Sequence, residues 1–573
     1  MVKEFDQFST IDYFFFAITF FSSGAIGLYH GCKSRKRANT REEYLLGGRK
    51  MGLLPVTASL VATAVSGTAV LGQPAEVYGY GTQAWMIGSG LFVVSAIVPS
   101  TFLPVFVEIG ELSSFKYLEL RFSRTVRLCA SFLYTVTSLL YLPVTIYVPA
   151  LAFQQVTGLN VHLTAGLLTL LCVSYTAVGG IKAVVWTDVL QITFTIVASV
   201  TVAIVGVRQV GGFHKVWEAA ERGGRLVFFN FNPDPTIRHS FWQYLLSLQI
   251  LEIYQFGLNQ TNIQRFLALS DLRKMRIAIW GLAFFFCSIF FLSQFIGIIV
   301  YATYETCDPF RAGLIRKIDQ IVPHFIEHSA RIFPGFTGIF IAGIFSASLS
   351  TTSSILNTLS GIIFDDFLLN KFRNSSEATA NNIVKLLVVI LGIMQILLLL
   401  AIEKMGTIFN MTAQCMTLTG ASLLGMFVLG MLCRGINSKG ALAGSIVTVL
   451  VILTLIIGGQ YKEPDPFLPL RTDGCQLEMF NSTSFQSFNQ PIEKPRNVPW
   501  IFKIHFLYYY LIGFTLNLSI GYIVSVLTGG NPSMDEKLLA KFLRKKDVRT
   551  TEEEDRLKTE ENEIGKIFNS RRQ

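Results

Sequence analysis

Charged residues are scarce in this chain. Asp, Glu, Lys and Arg make up only 15% of its 573 residues, whereas 51% are hydrophobic, and the mean hydropathy is +0.48. Soluble domains rarely have such a composition. The sequence also lacks the Gly-Lys-Ser type of phosphate-binding loop, which argues against transport driven by ATP. No catalytic chemistry is indicated either, so we do not expect an enzyme.

Long apolar runs are what the sequence has in abundance. Segments of about 20 apolar residues, the length that a helix needs to cross a bilayer, recur almost from end to end. The sequence therefore predicts an all-α polytopic membrane protein of about 13 transmembrane helices. The predicted spans lie near residues 11–31, 52–73, 83–107, 127–157, 161–179, 185–208, 241–260, 275–303, 333–365, 383–403, 408–433, 438–459 and 505–528.

The basic residues predict the orientation in the membrane. Cytoplasmic loops carry an excess of Lys and Arg, and the first connection is strongly basic. With an odd number of spans, the N-terminus is then extracellular and the C-terminus cytoplasmic, as in a multi-pass protein of the plasma membrane. The net charge of +10 follows from such loops and calls for no nucleic-acid partner. The basic residues expected inside are Lys33, Arg35, Lys36, Arg37, Arg41, Arg49, Lys50, Arg121, Arg124, Arg127, Arg265, Arg273, Lys274, Arg276, Lys371 and Arg373.

Two cysteines and one sequon fall in the predicted outer loops. Cys307 and Cys475 can form a disulfide there, because the cell exterior is oxidising, although two free thiols are equally compatible with the sequence. Asn481 begins the sequence Asn-Ser-Thr and is the expected glycosylation site.

The predicted span at 333–365 is unusual because hydroxyl side chains crowd its centre. Ala347, Ser350 and Thr351 lie at positions i, i+3 and i+4 and therefore share one helical face. Hydroxyl and carbonyl oxygens are suitable ligands for a partly dehydrated Na⁺. The alternative is that small hydroxyl residues only allow close helix packing.

Three further predicted spans contain features that are costly in a membrane. Residues 53–74 contain prolines and glycines that interrupt a helix, and interrupted helices bind the driving ion in many transporters. Glu252 lies near the middle of the span at 241–260, where a carboxylate indicates a functional site. A protonated Glu252 bonded to a neighbouring helix is the structural alternative. Asp188 lies near one end of the span at 185–208 and could instead be an interfacial residue close to Lys182.

These motifs together resemble the sodium/solute symporter family, in its eukaryotic branch of sodium-coupled iodide, monocarboxylate and multivitamin transporters. The resemblance extends from residue 44 to about residue 460. Its markers are YLLGGR at 44–49, VLGQPAEVY at 70–78, YLELRF at 117–122, YVPALAFQQVTG at 147–158, YTAVGGIKAVVWTD at 175–188, NFNPDP at 230–235, GLNQTNIQR at 257–265, CDP at 307–309 and NSKGALAG at 437–444.

The resemblance implies a LeuT-like core of two inverted five-helix repeats with additional flanking helices. The implied organisation is a first span and basic loop (1–51), a first repeat (52–208), an extracellular loop (209–240), a second repeat (241–433), two C-terminal spans (434–528) with an extracellular loop at 460–503, and a cytoplasmic tail (529–573).

The resemblance also implies where ions and solute bind. Na⁺, the co-transported ion, would bind between the first span of one repeat and the third of the other, and Asp188 would lie on its exit path. Ser66 and Tyr147 match positions near a second Na⁺. The implied ligands of the first Na⁺ are Ala62, Val65, Ala347, Ser350 and Thr351, and the implied substrate positions are Ala69, Glu252, Gln255, Thr412 and Gln414.

The implied function is sodium-coupled import of a small solute by alternating access, with a monocarboxylate or vitamin-like substrate. Ala69 and Glu252 depart from the residues common in the branch, and a carboxylate in the site repels an anion. A symporter for a cationic or polyol solute is therefore an alternative. A non-transporting solute sensor is another, although the intact Ser350 and Thr351 argue against it.

Overall fold

The computed structural model describes residues 9–35, 40–329, 334–402, 408–475, 498–531 and 534–544, and every regular element in these ranges is a helix. Ten helices in this part of the chain are long and apolar enough to cross a membrane, and a bent pair of helices makes up an eleventh crossing. The principal helices are α1 (Thr10–Arg35), α2 (Leu53–Ala64), α3 (Thr68–Tyr80), α4 (Thr82–Thr101), α5 (Arg124–Thr157), α6 (Val161–Val210), α7 (243–258), α8 (Leu272–Thr303), α9 (Phe336–Leu368), α10 (Glu377–Ile402), α11 (Ile408–Leu432), α12 (Ser438–Gly459) and α13 (Phe506–Leu527).

Shorter helices connect these elements on both sides of the bundle. They are too short to cross a bilayer, but one of them contributes to the candidate site. Their bounds are Arg41–Leu46, Leu103–Ile109, Ser114–Arg121, Phe213–Arg222, Gln260–Leu267 and Ile321–Ser329.

The difference from the thirteen predicted spans comes from two places. Helix α6 has 50 residues and contains two predicted spans, 161–179 and 185–208, on either side of Gly180. Gly180 has φ 56°, and a Cβ there would lie 2.5 Å from the Tyr44 carbonyl oxygen, so glycine allows both the kink and the close approach. The predicted span at 241–260 is formed by α7, which is divided into three short helical segments with π-type turns.

The predicted interruption near residue 65 is present as a bend of 55° between α2 and α3. At Val65 the backbone leaves the helix, with φ −88° and ψ 84°. The last carbonyl groups of α2 therefore lack the partners that a continuous helix would give them. The Thr63 carbonyl accepts a hydrogen bond from Thr351 of α9, at 3.2 Å.

Helix α9 lies at the centre of the molecule and is almost completely buried. It packs against α5, α6 and α2, so its hydroxyl groups face protein and not lipid. Helices α10, α12 and α13 instead expose large apolar side chains such as Leu397, Leu450 and Tyr522, which are suited to contact with the lipid bilayer.

A disulfide joins two of the connections between helices. Cys307 follows α8, and Cys475 lies in the segment after α12, with their Cα atoms 4.8 Å apart. The pairing closes a loop of 168 residues in sequence. Asn481, the expected glycosylation site, lies outside the described residues.

Candidate sodium and substrate site

The hydroxyl face of α9 meets the break between α2 and α3. The Thr351 hydroxyl lies 3.2 Å from the Thr63 carbonyl oxygen and 3.2 Å from the Ala347 carbonyl oxygen, so it is shared between its own helix and α2. The buried Ser350 hydroxyl oxygen has no hydrogen-bond partner among the described residues. An oxygen of this kind, deep in a membrane protein, is available to an ion.

The structure brings the five implied sodium ligands to one region. Ala62 and Val65 lie at the end of α2, where the helical hydrogen bonds stop, and both residues are buried. Ala347, Ser350 and Thr351 lie opposite them on α9. Carbonyl and hydroxyl oxygens form a donor set that suits Na⁺, and the buried Asp188 carboxylate lies beside Ser350.

Asp188 is fully buried in α6 and forms an ion pair. Its Oδ2 atom accepts hydrogen bonds from the Ser59 hydroxyl at 2.5 Å and from Arg265 Nη2 at 3.3 Å. Its Oδ1 atom has no partner within the described structure. Lys182, which the sequence offered as a nearby cation, pairs with Glu43 instead.

Polar contacts connect this ion pair to the sodium site. Arg265 donates to the Ser354 hydroxyl, and the Ser354 oxygen lies 3.0 Å from the Thr63 hydroxyl oxygen. Ser354 also donates to the Ser350 carbonyl at 2.7 Å. A continuous chain of polar groups therefore leads from the proposed ligands on α9 to Asp188.

The two residues implied for a second sodium ion lie in different surroundings. The Ser66 hydroxyl is 2.5 Å from the Thr68 hydroxyl, and the tyrosine hydroxyl that reaches it, at 3.5 Å, is that of Tyr141. The ring of Tyr147 instead lies near Lys317, whose Nζ is 5.9 Å from the ring centroid.

A cavity of about 170 Å³ lies beside the break and contains four of the five implied substrate positions. Gln414 is not among its lining residues, because the Gln414 side chain accepts a hydrogen bond from Gln460 Nε2 at 3.1 Å near the surface. None of the described residues that line the cavity is Lys, Arg or His. They are Ala64, Ser66, Thr68, Ala69, Gln73, Ile87, Tyr141, Leu248, Leu251, Glu252, Gln255, Phe256, Phe286, Phe290, Thr412, Ala413, Met416 and Leu507.

A second, more polar cavity of about 80 Å³ adjoins the first and shares Tyr141 and Gln255 with it. Its lining includes Thr63 and Thr351, so it also borders the sodium site. An ion site and a solute-sized cavity are thus neighbours around one interrupted helix, an arrangement suited to coupling the two.

Sequence reasoning missed several residues of this site. Arg265 was counted among the basic residues of an inner loop, but it is buried inside the helix Gln260–Leu267. The available signal was its distance in sequence from the loop: Arg265 lies eight positions before Arg273, the next basic residue. Ser59 and Tyr141 had no local signal, because the role of each depends on a partner on another helix. Thr63 was recognised only as a polar residue of the interrupted span.

The fold and the site define a membrane transporter in which an interrupted helix faces a buried hydroxyl face. The chain belongs to the sodium:solute symporter family, which it matches over residues 44–448. It is therefore a sodium-coupled solute symporter and not an enzyme.

Two groups of curated relatives illustrate the family. The chain is 34% identical over 531 residues to the sodium-coupled monocarboxylate transporter 2 of Homo sapiens, which covers 92% of this chain and 85% of that protein. It is 32% identical over 550 residues to the sodium-dependent multivitamin transporter of Oryctolagus cuniculus, with coverage of 94% and 86%.

Among solved structures, the fold is similar to that of a Na⁺-coupled sialic acid symporter in a substrate-bound outward-open state. The TM-score is 0.75 with 22% sequence identity, over 92% of this chain and 100% of that chain. At this identity the likeness establishes the LeuT-like, all-helical fold.

Proposed function

We propose that this chain imports a small organic monocarboxylate or vitamin-like solute together with Na⁺ across the plasma membrane. The names of the curated relatives support this substrate class. In the same proposal the N-terminus is extracellular and the C-terminus cytoplasmic, in keeping with the basic connection at 33–50.

The contact between Thr351 and Thr63 is the observation that carries the sodium part of the proposal. It joins α9, in the second proposed repeat (241–433), to the break of α2, in the first (52–208). An ion held by Ala62, Val65, Ala347, Ser350 and Thr351 would link the two repeats. Sodium would bind more tightly to the state in which the repeats are linked, and it would therefore favour that state.

Alternating access couples this ion to the solute. Sodium entering from outside completes the site beside the cavity, solute binding favours closure, and the ion leaves past Asp188 towards the low sodium of the cytoplasm. At roughly −60 mV one inward charge releases about 1.4 kcal/mol, and a tenfold sodium gradient adds about 1.4 kcal/mol. For a solute without net charge, one coupled ion therefore supports an accumulation of about a hundredfold. For a monocarboxylate anion the two charges cancel, and the sodium gradient alone supports about tenfold.

Uptake into cells that express the chain tests this proposal. The panel contains iodide, short monocarboxylates, biotin, sugars, inositol and choline, each in sodium medium and in N-methylglucamine medium. We expect sodium to stimulate uptake of a monocarboxylate or vitamin-like solute. If no solute is taken up while the protein is at the cell surface, the non-transporting sensor is the better account.

A further inference from the structure

Glu252 is a buried carboxyl group without a partner. It lies on α7, is 2% exposed, and lines the larger cavity. Neither of its carboxyl oxygens has a hydrogen-bond partner among the described residues. A polar group in this position is normally satisfied, so the absence of a protein partner indicates that a ligand supplies one.

The position of this carboxyl group is well defined by its neighbours. Its Oε2 atom lies against the backbone of α4, because a Cβ added to Gly90 would be only 1.7 Å from that oxygen. The Gln249 side chain is nearby but donates to the Tyr244 carbonyl, and the Gln249 carbonyl oxygen has no partner in the described part of the chain. Unpartnered acceptor oxygens of Glu252 and Gln249 therefore lie together on α7, beside Gly90.

Aromatic rings form the adjoining wall. Phe256 and Phe286 have ring centroids 5.3 Å apart, and Phe286 and Phe290 have centroids 5.7 Å apart. All three line the same cavity as Glu252. A carboxylate attracts an ammonium group by its charge, and the faces of the aromatic rings attract it through their quadrupole. None of the described lining residues is a basic side chain that would compete with it.

We propose that the solute is a monocarboxylate that also carries a positively charged nitrogen, and that this nitrogen binds between Glu252 and the phenylalanine rings. This inference rests on the proposed function, because it assigns the second charged group of the solute that sodium drives. The carboxylate of the solute lies towards the break at residue 65, where α3 begins and where Na⁺ is bound nearby. The positive nitrogen neutralises Glu252. A simple monocarboxylate has no such group, so it would leave Glu252 unpaired or be repelled by it.

Pairs of solutes with the same shape test the proposal. 4-Aminobutanoate is compared with pentanoate, and trimethylammonioacetate with 3,3-dimethylbutanoate, so that each pair differs in the charge at one end. Sodium-dependent uptake is measured for the wild-type chain and for Glu252→Gln. Glu108→Gln is the matched control, because Glu108 is an exposed carboxylate that pairs with Arg544 at 2.9 Å, away from the cavity.

We expect the wild-type chain to take up at least one nitrogen-bearing solute at least tenfold faster than its nitrogen-free partner. Glu252→Gln should lower that uptake at least tenfold and remove the preference, whereas Glu108→Gln should keep both. Surface labelling of each variant normalises the rates. The preference of the wild-type chain alone still tests the proposal if Glu252→Gln does not reach the surface.

Two results would overturn the inference, and they separate it from the proposed function. Sodium-driven uptake of the nitrogen-free partners at equal or higher rates would refute the positive nitrogen and leave symport intact. A preference that persists in Glu252→Gln would place the nitrogen elsewhere. Absence of sodium-stimulated uptake of every member of both pairs and of the wider panel would refute the proposed function itself.

Discussion

Arg265 and Asp188 form an ion pair in which both side chains are almost completely hidden from solvent. Their Nη2 and Oδ2 atoms are 3.3 Å apart, and the exposed fractions of the side chains are 2% and 0%. The Ser59 hydroxyl joins the pair, accepting from Arg265 Nε at 2.7 Å and donating to Asp188. This cluster connects α2, α6 and the helix Gln260–Leu267 beside the proposed sodium site.

Removing one member of this pair leaves the other as an uncompensated buried charge. We therefore expect Arg265→Ala to lower the free energy of unfolding by about 3–5 kcal/mol. Arg265→Lys should also destabilise the protein, because one ammonium group cannot bond Ser59, Asp188 and Ser354 at once. Thermal unfolding of the detergent-solubilised chain provides the measurement.

The control for this prediction is Arg273→Ala, since Arg273 is exposed. The free energy of unfolding of that variant should lie within about 0.5 kcal/mol of the wild-type value. Equal stability of Arg265→Ala and Arg273→Ala would contradict the ion pair as a stabilising element.

The disulfide between Cys307 and Cys475 closes a long loop, so its removal should matter. Cys307→Ser is expected to lower the free energy of unfolding by about 2–5 kcal/mol, because the cross-link restricts the unfolded chain. The comparison is thermal unfolding with and without a reducing agent. Cys129→Ser, at a thiol outside the disulfide, should show the wild-type response, and insensitivity of the wild type to reduction would argue against the bond.

A buried charged cluster lies at one end of α3. Glu76 accepts from Arg238 at 2.5 Å and lies 2.6 Å from His239 Nε2, and Asp465 pairs with Arg238 at 3.2 Å and lies 3.6 Å from His505. The cluster fastens the end of α3 to the connections before α7 and before α13. Tyr244 and Lys462 complete it, through His239 Nδ1 and Asp465 respectively.

This cluster predicts a loss of stability in acid. Burial lowers the pKa of His239, against the opposing effect of Glu76, and burial lowers the pKa of His505 well below its ordinary value of 6.5, with Arg238 adding to the effect. Both rings are then neutral in the folded chain, whereas the unfolded chain binds protons as the pH falls below about 6.5. Folding stability is therefore full above that pH and declines below it.

The unfolding temperature measured from pH 8 to pH 5 checks this sign. It should fall below pH 6.5 in the wild type and fall less in His505→Gln. His214→Gln is the control, because His214 is exposed and should leave the pH profile unchanged. A wild-type unfolding temperature that rises on acidification would contradict the prediction.

The sequence predicted the parts of this molecule that depend on local patterns. Apolar length located the spans, and the spacing of Ala347, Ser350 and Thr351 located the face that meets α2. These features repeat with the helical period and need no knowledge of the neighbours.

Partners across helices could not be predicted in the same way. Tyr141 and Tyr147 are six positions apart, which places them about 120° apart around α5, so only one can face Ser66. Thr412 and Met416 share the cavity face of α11, whereas Gln414 lies about 160° from Thr412. Which face turns inward is decided by how the helices pack, and that information is not local in the sequence.

The central claim is that Na⁺ binds where α9 meets the break of α2, and the sodium dependence of uptake tests it most directly. Uptake of the transported solute is measured against sodium concentration for the wild type, Ser350→Ala, Thr351→Ala and the control Ser360→Ala. Ser360 is buried on the same helix about 15 Å from Ser350 and bonds the Asn357 carbonyl.

We predict that Ser350→Ala and Thr351→Ala raise the sodium concentration for half-maximal uptake at least tenfold or abolish uptake, with all proteins at the cell surface. Ser360→Ala should retain the wild-type curve. Wild-type sodium dependence in the Ser350→Ala and Thr351→Ala variants would show that the driving ion binds elsewhere.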